Sequence, residues 1–131
     1  MIAQSPPSPA STLSRFAPSR DDLERLSRYL LTLVPVDLKG IADNLLLKVE
    51  EFPDDETVEI MALGSNFDLH GLYRKASLPE ASVVDIGAML DILHIYRRPL
   101  LDYWCESGEA LDKILMRVII HELQEGGEAA P

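Results

Sequence analysis

The rest of this chain is predicted to pack around one amphipathic helix, which closes with Val118-Ile119-Ile120-His121-Glu122-Leu123-Gln124-Glu125 near the end of the sequence. We expect Ser107 to cap the start of this helix and Gly126-Gly127 to end it. Its apolar side chains recur at helical spacing: Leu111, Ile114, Leu115, Val118 and Ile119. A histidine and a donor four residues later share one helix face and can grip one metal ion. Here the histidine is His121 and the later residue is Glu125.

Length and composition limit the classes of protein that this chain can belong to. It has 131 residues, of which 47% are hydrophobic, and this suits one domain with a real but small core. The formal charge is −10, from 22 acidic and 12 basic residues. An acidic surface repels phosphate backbones, so we do not expect nucleic acid as a partner. The single cysteine, Cys105, excludes an intrachain disulfide and a multi-cysteine zinc site, and it fits a reducing compartment.

The sequence predicts a cytoplasmic protein that does not enter a membrane. It has no apolar run near the roughly 18 residues that a membrane helix needs. Its N-terminus lacks the basic start and apolar core of a secretory signal. Residues 1–18 are rich in Pro, Ser and Ala, and we expect a disordered tail because they bury too little apolar surface to offset their ordering entropy.

The helices before the last one are indicated by caps and apolar spacing. Ser19 or Asp21 can begin a helix that Pro35 ends. Its predicted apolar stripe is Leu23, Leu26, Leu30, Leu31 and Leu33. Three shorter helices are predicted at 37–44, from Pro53 to about Leu63, and from Pro99 through Trp104.

About three short strands lie between these helices. The best is Ile92–Tyr96, which is β-branched and aromatic, and Leu45–Phe52 and Asp68–Arg74 are the other two. Helices at both ends flank the strands, which predicts an α+β fold rather than an alternating βα one. We divide the chain into a tail at 1–18, one domain at 19–125 and a flexible end at 126–131.

Four segments identify a family by their order and spacing. They are Val49–Asp55 (VEEFPDD), Phe67–Tyr73 (FDLHGLY), Ile92–Trp104 (ILHIYRRPLLDYW) and Val118–Leu123 (VIIHEL). Together they resemble the small bacterial zincin-like metallopeptidase family, whose minimal members carry an H-E-x-x-H motif. The resemblance implies a compact α+β domain with a small sheet packed against a zinc-binding helix, and a peptide or protein as substrate.

The same resemblance implies roles for individual residues. His121 would be a first zinc ligand, Glu122 the general base, and Glu125 the second helical ligand, where the family pattern has a histidine. The third ligand would come from His70, His94 or Glu128. From the residues alone, His70 is rather a turn or edge residue. Strand alternation places His94 on the face opposite Leu93 and Ile95, as a partly buried and satisfied histidine.

Three functional hypotheses follow, and they belong to different classes. The first is zinc-dependent peptide hydrolysis. The second is a catalytically inactive pseudo-enzyme of the zincin fold that binds peptides or proteins, for which an accessible sheet edge could receive an extended peptide. The third is a truncated copy without function. The sequence predicts no particular oligomeric state.

Overall fold

The computed structural model of this protein describes residues 17–76 and 90–127, in which five α-helices surround one three-stranded sheet. The helices are α1 (Arg20–Leu31), α2 (Lys39–Ala42), α3 (Asp55–Ile60), α4 (Arg97–Ser107) and α5 (Leu111–Glu122). The strands are β1 (Leu45–Glu50), β2 (Gly71–Arg74) and β3 (Asp91–Tyr96). A 3₁₀ turn, Val36–Leu38, precedes α2, and one π-helical turn, Leu123–Gly127, continues α5 and is called the C-terminal turn below. The predicted α+β class and the three strands are confirmed.

The sheet has the strand order β1-β3-β2, with β3 in the centre. β1 runs parallel to β3, whereas β2 runs antiparallel to it. In this register Leu93 lies opposite both Leu47 and Tyr73, so these three side chains share one face of the sheet. α1 and α5 pack over that face, and the core lies between them and the sheet.

The core is aliphatic, and the two long helices contribute most of it. Most of its large, fully buried side chains come from α1, α5 and β3: Leu23, Leu26, Leu93, Ile95, Ile114, Leu115 and Ile119. The 3₁₀ turn, α4 and the C-terminal turn add Leu38, Leu100 and Leu123. The predicted stripes of both helices are therefore confirmed, with one exception. Leu33 lies beyond the end of α1 and is 52% exposed, because the helix stops before it can turn this side chain inward.

The N-terminus of α1 is capped by residues that lie close together in sequence. The hydroxyl of Ser19 accepts a hydrogen bond from the backbone N–H of Asp22, and the Asp22 carboxylate accepts one from the Ser19 N–H. This reciprocal cap satisfies two helix-end donors and contributes about 1 kcal/mol. Of the two predicted caps, Ser19 and Asp21, the structure uses Ser19.

The predicted cap of the last helix was wrong. Ser107 is the final residue of α4, and Ala110 precedes the first residue of α5. Gly108 takes a left-handed conformation with φ +72°, which lets the chain turn from one helix into the next. The Ser107 hydroxyl accepts a hydrogen bond from the backbone N–H of Glu109, inside this turn. From sequence alone, a serine that ends one helix looks like a serine that caps the next, so the local pattern could not tell the two positions apart.

Other predicted boundaries moved by a few residues. β1 ends at Glu50 rather than Phe52, and the strand predicted from Asp68 begins at Gly71. α4 begins at Arg97, so Pro99 lies in its first turn, where its missing N–H is not needed. The division at residues 19 and 125 stays a prediction, and residues 1–16 lie outside the described part of the chain. No helix among the described residues is long and apolar enough to cross a membrane.

Candidate functional site

The end of α5 lies directly against β2, because a glycine allows the two to approach. A Cβ atom on Gly71 would lie 2.8 Å from the Cγ1 atom of Val118 and 3.1 Å from the carbonyl oxygen of His94. Only a residue without a Cβ atom fits this contact without movement of the helix. The close approach brings the last turn of α5 to the outer edge of the sheet.

Glu122 uses this proximity to bind the backbone of the edge strand. Its Oε1 atom accepts a hydrogen bond of 3.0 Å from the backbone N–H of Tyr73. Immediately before β2, the carbonyl of His70 accepts a hydrogen bond from the N–H of Tyr96 on β3, so alternation along the chain directs the Tyr73 N–H away from β3. Glu122 therefore satisfies a donor on the free edge of β2 that would otherwise lack a partner.

The environment of Glu122 changes its acidity. Its side chain is only 16% exposed, and this burial raises the pKa of its carboxyl group. The hydrogen bond from Tyr73 and the neighbouring His121 act in the opposite direction, and Glu125 adds a small rise. The net effect on the pKa is upward, as desolvation of the charged form requires.

His121 and Glu125 lie on the solvent side of the same helix end. The His121 side chain is 64% exposed, and its Nε2 atom lies 3.9 Å from the Oε2 atom of Glu122. Glu125 is exposed in the C-terminal turn. Consecutive helical residues are rotated by about 100°, so His121 and Glu122 cannot both face β2. The proposed ligand roles of His121 and Glu125 stay predictions.

The C-terminal turn is fixed in place by two glycines. A Cβ atom on Gly126 would lie 2.5 Å from the Cβ atom of Tyr73, and one on Gly127 would lie 2.8 Å from the Cγ2 atom of Ile41. The backbone of the turn therefore packs closely against β2 on one side and α2 on the other. This contact sets where Glu122 and Glu125 sit relative to the sheet.

His70 is the candidate third ligand that the fold brings to the same place. A cleft of about 270 Å³ between α5 and β2 is lined by His70, Arg117, His121 and Glu122, with Leu69 and Val118 as apolar walls. The His70 ring packs against the Tyr103 ring, with 5.3 Å between centroids. Burial lowers the pKa of His70, and Arg117 lowers it further. No local pattern in the sequence could have paired His70 with Arg117.

His94 lies on the other face of the sheet. It is opposite Lys48 on β1 and Leu72 on β2, so it shares their face rather than the face that α5 covers. Its Nδ1 atom is hydrogen-bonded to the Glu50 carboxylate. Among the described residues its buried Nε2 atom has no hydrogen-bond partner. The predicted burial of His94 is confirmed, whereas only one of its two ring nitrogens is satisfied.

The described donors do not fit a zinc ion. A catalytic zinc site needs three protein ligands and an open position. In residues 17–76 and 90–127, no three His, Cys, Asp or Glu side chains lie close enough together to hold one metal ion. The remaining candidate ligand, Glu128, lies outside these residues.

A larger groove continues from the cleft along α5. It has a volume of about 690 Å³, and its apolar lining comes from Leu30, Met116 and Ile120. Lys113, Arg117 and His121 follow one another along it at four-residue spacing. Arg117 and His121 line the groove and the cleft alike, so the two concavities meet at these side chains.

Comparison with known proteins identifies one family. The family model described as zincin-like metallopeptidase matches residues 42–126, more than half of the 131 residues. The matched range includes the whole sheet, α5 and most of the C-terminal turn. No curated protein matches this chain significantly.

Proposed function

This chain belongs to the zincin-like metallopeptidase family, and we propose that it binds peptide segments in the cleft between α5 and β2 without hydrolysing them. The fold is that of a peptidase domain, with the motif helix against the edge of a small sheet. The proposed function retains peptide recognition and omits zinc-dependent catalysis. It corresponds to the pseudo-enzyme among the three hypotheses that the sequence allows.

The observation that carries this proposal is the hydrogen bond between Glu122 and the backbone of Tyr73. A general base has to reach the water proton that it removes. Here the carboxylate is turned toward the sheet, and its Oε1 atom accepts the Tyr73 N–H at 3.0 Å. The role that this geometry supports for Glu122 is to fasten α5 to β2.

The donor set supports the same conclusion. His121 and Glu125 are exposed, and among the described residues neither belongs to a group of three possible ligands. A zinc ion held by two exposed side chains would have low affinity, because three fixed ligands are the usual minimum. Peptide binding at this cleft needs no metal ion.

Peptide recognition at this site would use side-chain pockets rather than strand addition. An incoming strand would need the outward N–H of Tyr73, and Glu122 already accepts that hydrogen bond. The cleft combines apolar walls with a few polar groups, as ligand sites commonly do. Leu69 and Val118 offer apolar contact, and Arg117 and His121 can donate to peptide carbonyl groups.

Zinc-dependent peptide hydrolysis is the second candidate function. The observation that favours it is that two imidazoles and a carboxylate, those of His70, His121 and Glu122, line one cleft, although they would have to move closer together to hold a metal ion. In this candidate His121 and Glu125 hold the metal ion with His70 as the third ligand, and Glu122 is the base.

Metal analysis distinguishes the two candidates. The purified chain is supplied with zinc, passed through a desalting column and assayed for zinc, for peptide hydrolysis and for melting temperature with and without a chelator. We expect much less than one zinc ion per chain, no hydrolysis and an unchanged melting temperature. The matched variant Glu125→His, which restores two helical histidines four residues apart, should retain more zinc. One zinc ion per wild-type chain together with peptide hydrolysis would establish the second candidate instead.

A further inference from the structure

The side of α5 that lines the larger groove carries apolar side chains that are only partly buried. The buried face of this helix is formed by Leu111, Ile114, Leu115 and Ile119. Met116 and Ile120 are four residues apart on the opposite side, and both line the 690 Å³ groove. A helix that packs on one side normally has polar residues on the other. Met116 and Ile120 pack against the margin of the core, and the surface that they still expose lines the groove, where a ligand can contact it.

Basic side chains accompany this stripe. Lys113, Arg117 and His121 lie along the groove at successive turns of the helix, and Asp112 is the only acidic residue that lines it among the described residues. The chain as a whole carries a formal charge of −10. The groove is thus a basic and apolar strip on an acidic protein, and its charge is complementary to carboxylates.

The Arg117 side chain is held in position beside the groove by Glu109. Glu109 accepts two hydrogen bonds of 3.0 Å from its guanidinium, one from each terminal nitrogen. A guanidinium has five N–H donors, so others stay available to a ligand. Glu109 offsets part of the positive charge of Arg117, so exposed Lys113 provides the remaining electrostatic attraction, and the exposed His121 ring can donate a hydrogen bond.

We infer that the peptides bound by this protein are acidic and apolar, with large apolar side chains that contact Met116 and Ile120 and carboxylates that contact Lys113, Arg117 and His121. This inference rests on the proposed peptide-binding function, since Arg117 and His121 join the groove to the cleft. It adds the chemistry of the ligand. A basic peptide of the same apolar content is disfavoured by the same side chains.

Two matched peptides test the inference. The first is a fluorescein-labelled peptide in which Leu and Phe alternate with Asp and Ser, and the second has every Asp replaced by Lys. Fluorescence anisotropy with the full chain gives both affinities. We expect the acidic peptide to bind on the order of tenfold more tightly, because its carboxylates form a few exposed charge pairs with the groove that the basic peptide cannot form. The preference should shrink at high salt.

The variant Lys113→Glu tests the electrostatic contribution to peptide binding, with Lys48→Glu as its control. Both lysines are exposed, but Lys48 lies on the strand β1, on the face of the sheet away from α5. Lys113→Glu should abolish or reverse the preference for the acidic peptide, and Lys48→Glu should leave it close to the wild-type value.

Ile120→Ser examines the apolar part, with Val36→Ser as its control. Val36 is 87% exposed in the 3₁₀ turn, outside the groove. Removing the Ile120 side chain should weaken binding of the acidic peptide roughly tenfold, because apolar area is lost from the contact. Because Ile120 also packs against the core, the variant should melt at a lower temperature, so binding is compared at a temperature at which circular dichroism shows both proteins fully folded.

The outcomes separate the inference from the function on which it rests. Equal affinity for the two peptides, or a preference unchanged by Lys113→Glu, overturns the inference and leaves peptide binding standing. Failure of both peptides to bind overturns the proposed function itself. Self-association of the chain that Ile120→Ser abolishes would assign the groove to a second copy instead of a peptide.

Discussion

Two His–Glu pairs in this molecule have opposite exposures. In the pair His94–Glu50, on the sheet, the histidine side chain is 7% exposed and the carboxylate is 32% exposed. In the pair His121–Glu122, at the end of α5, the histidine is 64% exposed and the carboxylate 16%. Residues 94 and 50 are far apart in sequence and hydrogen-bonded, whereas residues 121 and 122 are adjacent and point to different surroundings.

The difference shows that the side chains of two consecutive residues on a helix point in different directions and rarely contact each other. A rotation of about 100° per residue turns His121 toward solvent when Glu122 faces β2. Glu50 and His94 project from the same face of adjacent parallel strands, where side chains two residues out of register can still meet. In the His121–Glu122 motif the two side chains are therefore not hydrogen-bonded to each other. The Glu122 carboxylate accepts a hydrogen bond from the backbone of β2 instead.

His94→Ala should have the largest effect on stability. The substitution removes a buried ring from the far face of the sheet and leaves the Glu50 carboxylate without its partner. We expect a loss of about 2–4 kcal/mol in the free energy of unfolding. Urea denaturation measures this loss. A smaller loss than that of His121→Ala would show that the His94–Glu50 pair stabilises the fold less than the exposed His121 does.

Gly126→Ala should have the next largest effect. The new Cβ atom would lie 2.5 Å from the Cβ atom of Tyr73, so the C-terminal turn has to move away from β2. We expect a loss of about 1–3 kcal/mol by urea denaturation.

Gly40→Ala is the matched control for this substitution. A Cβ atom on Gly40, inside α2, meets no atom within 4 Å. This variant should be as stable as the wild type or more stable by up to about 1 kcal/mol, because alanine favours the helix. Equal responses at the two glycines would show that the turn does not pack against β2 as described.

Glu122→Ala should lower the free energy of unfolding somewhat less than Gly126→Ala. It removes the acceptor of the Tyr73 N–H and leaves that donor partly buried, for about 1–2 kcal/mol. Hydrogen exchange offers a local readout, since the Tyr73 amide should exchange faster. Glu122→Gln retains an oxygen acceptor and should lie between the wild type and the alanine variant. If Tyr73 exchange is unaffected by Glu122→Ala, the fastening role assigned to Glu122 is wrong.

His121→Ala and Glu125→Ala should have the smallest effects on stability. Both side chains are exposed, and substitutions at such positions usually change the free energy of unfolding by less than about 0.5 kcal/mol. The measurement is repeated with excess zinc. A marked stabilisation of the wild type by zinc, lost in both variants, would show that this end of the helix binds metal after all.

The site could be predicted only in part. The motif predicts a site at the end of α5, and this stays a prediction, whereas the family assignment was confirmed over residues 42–126. Arg117 was not connected with it, and His70 was only one of three candidate third ligands, because the cleft is formed by a loop, a strand and a helix that are distant in sequence. Ser107 was misplaced because a capping serine and a helix-ending serine look alike when only neighbours are considered.

By itself, the sequence determined the elements whose causes are local. The apolar spacing of α1 and α5, the β-branched run of β3 and the Ser19 cap are set by residues within a few positions of one another. The tertiary structure alone decided what the motif residues do. Glu122 meets an N–H that lies 49 residues earlier in the chain, and only the packing of α5 and the C-terminal turn against the sheet brings that donor within 3.0 Å.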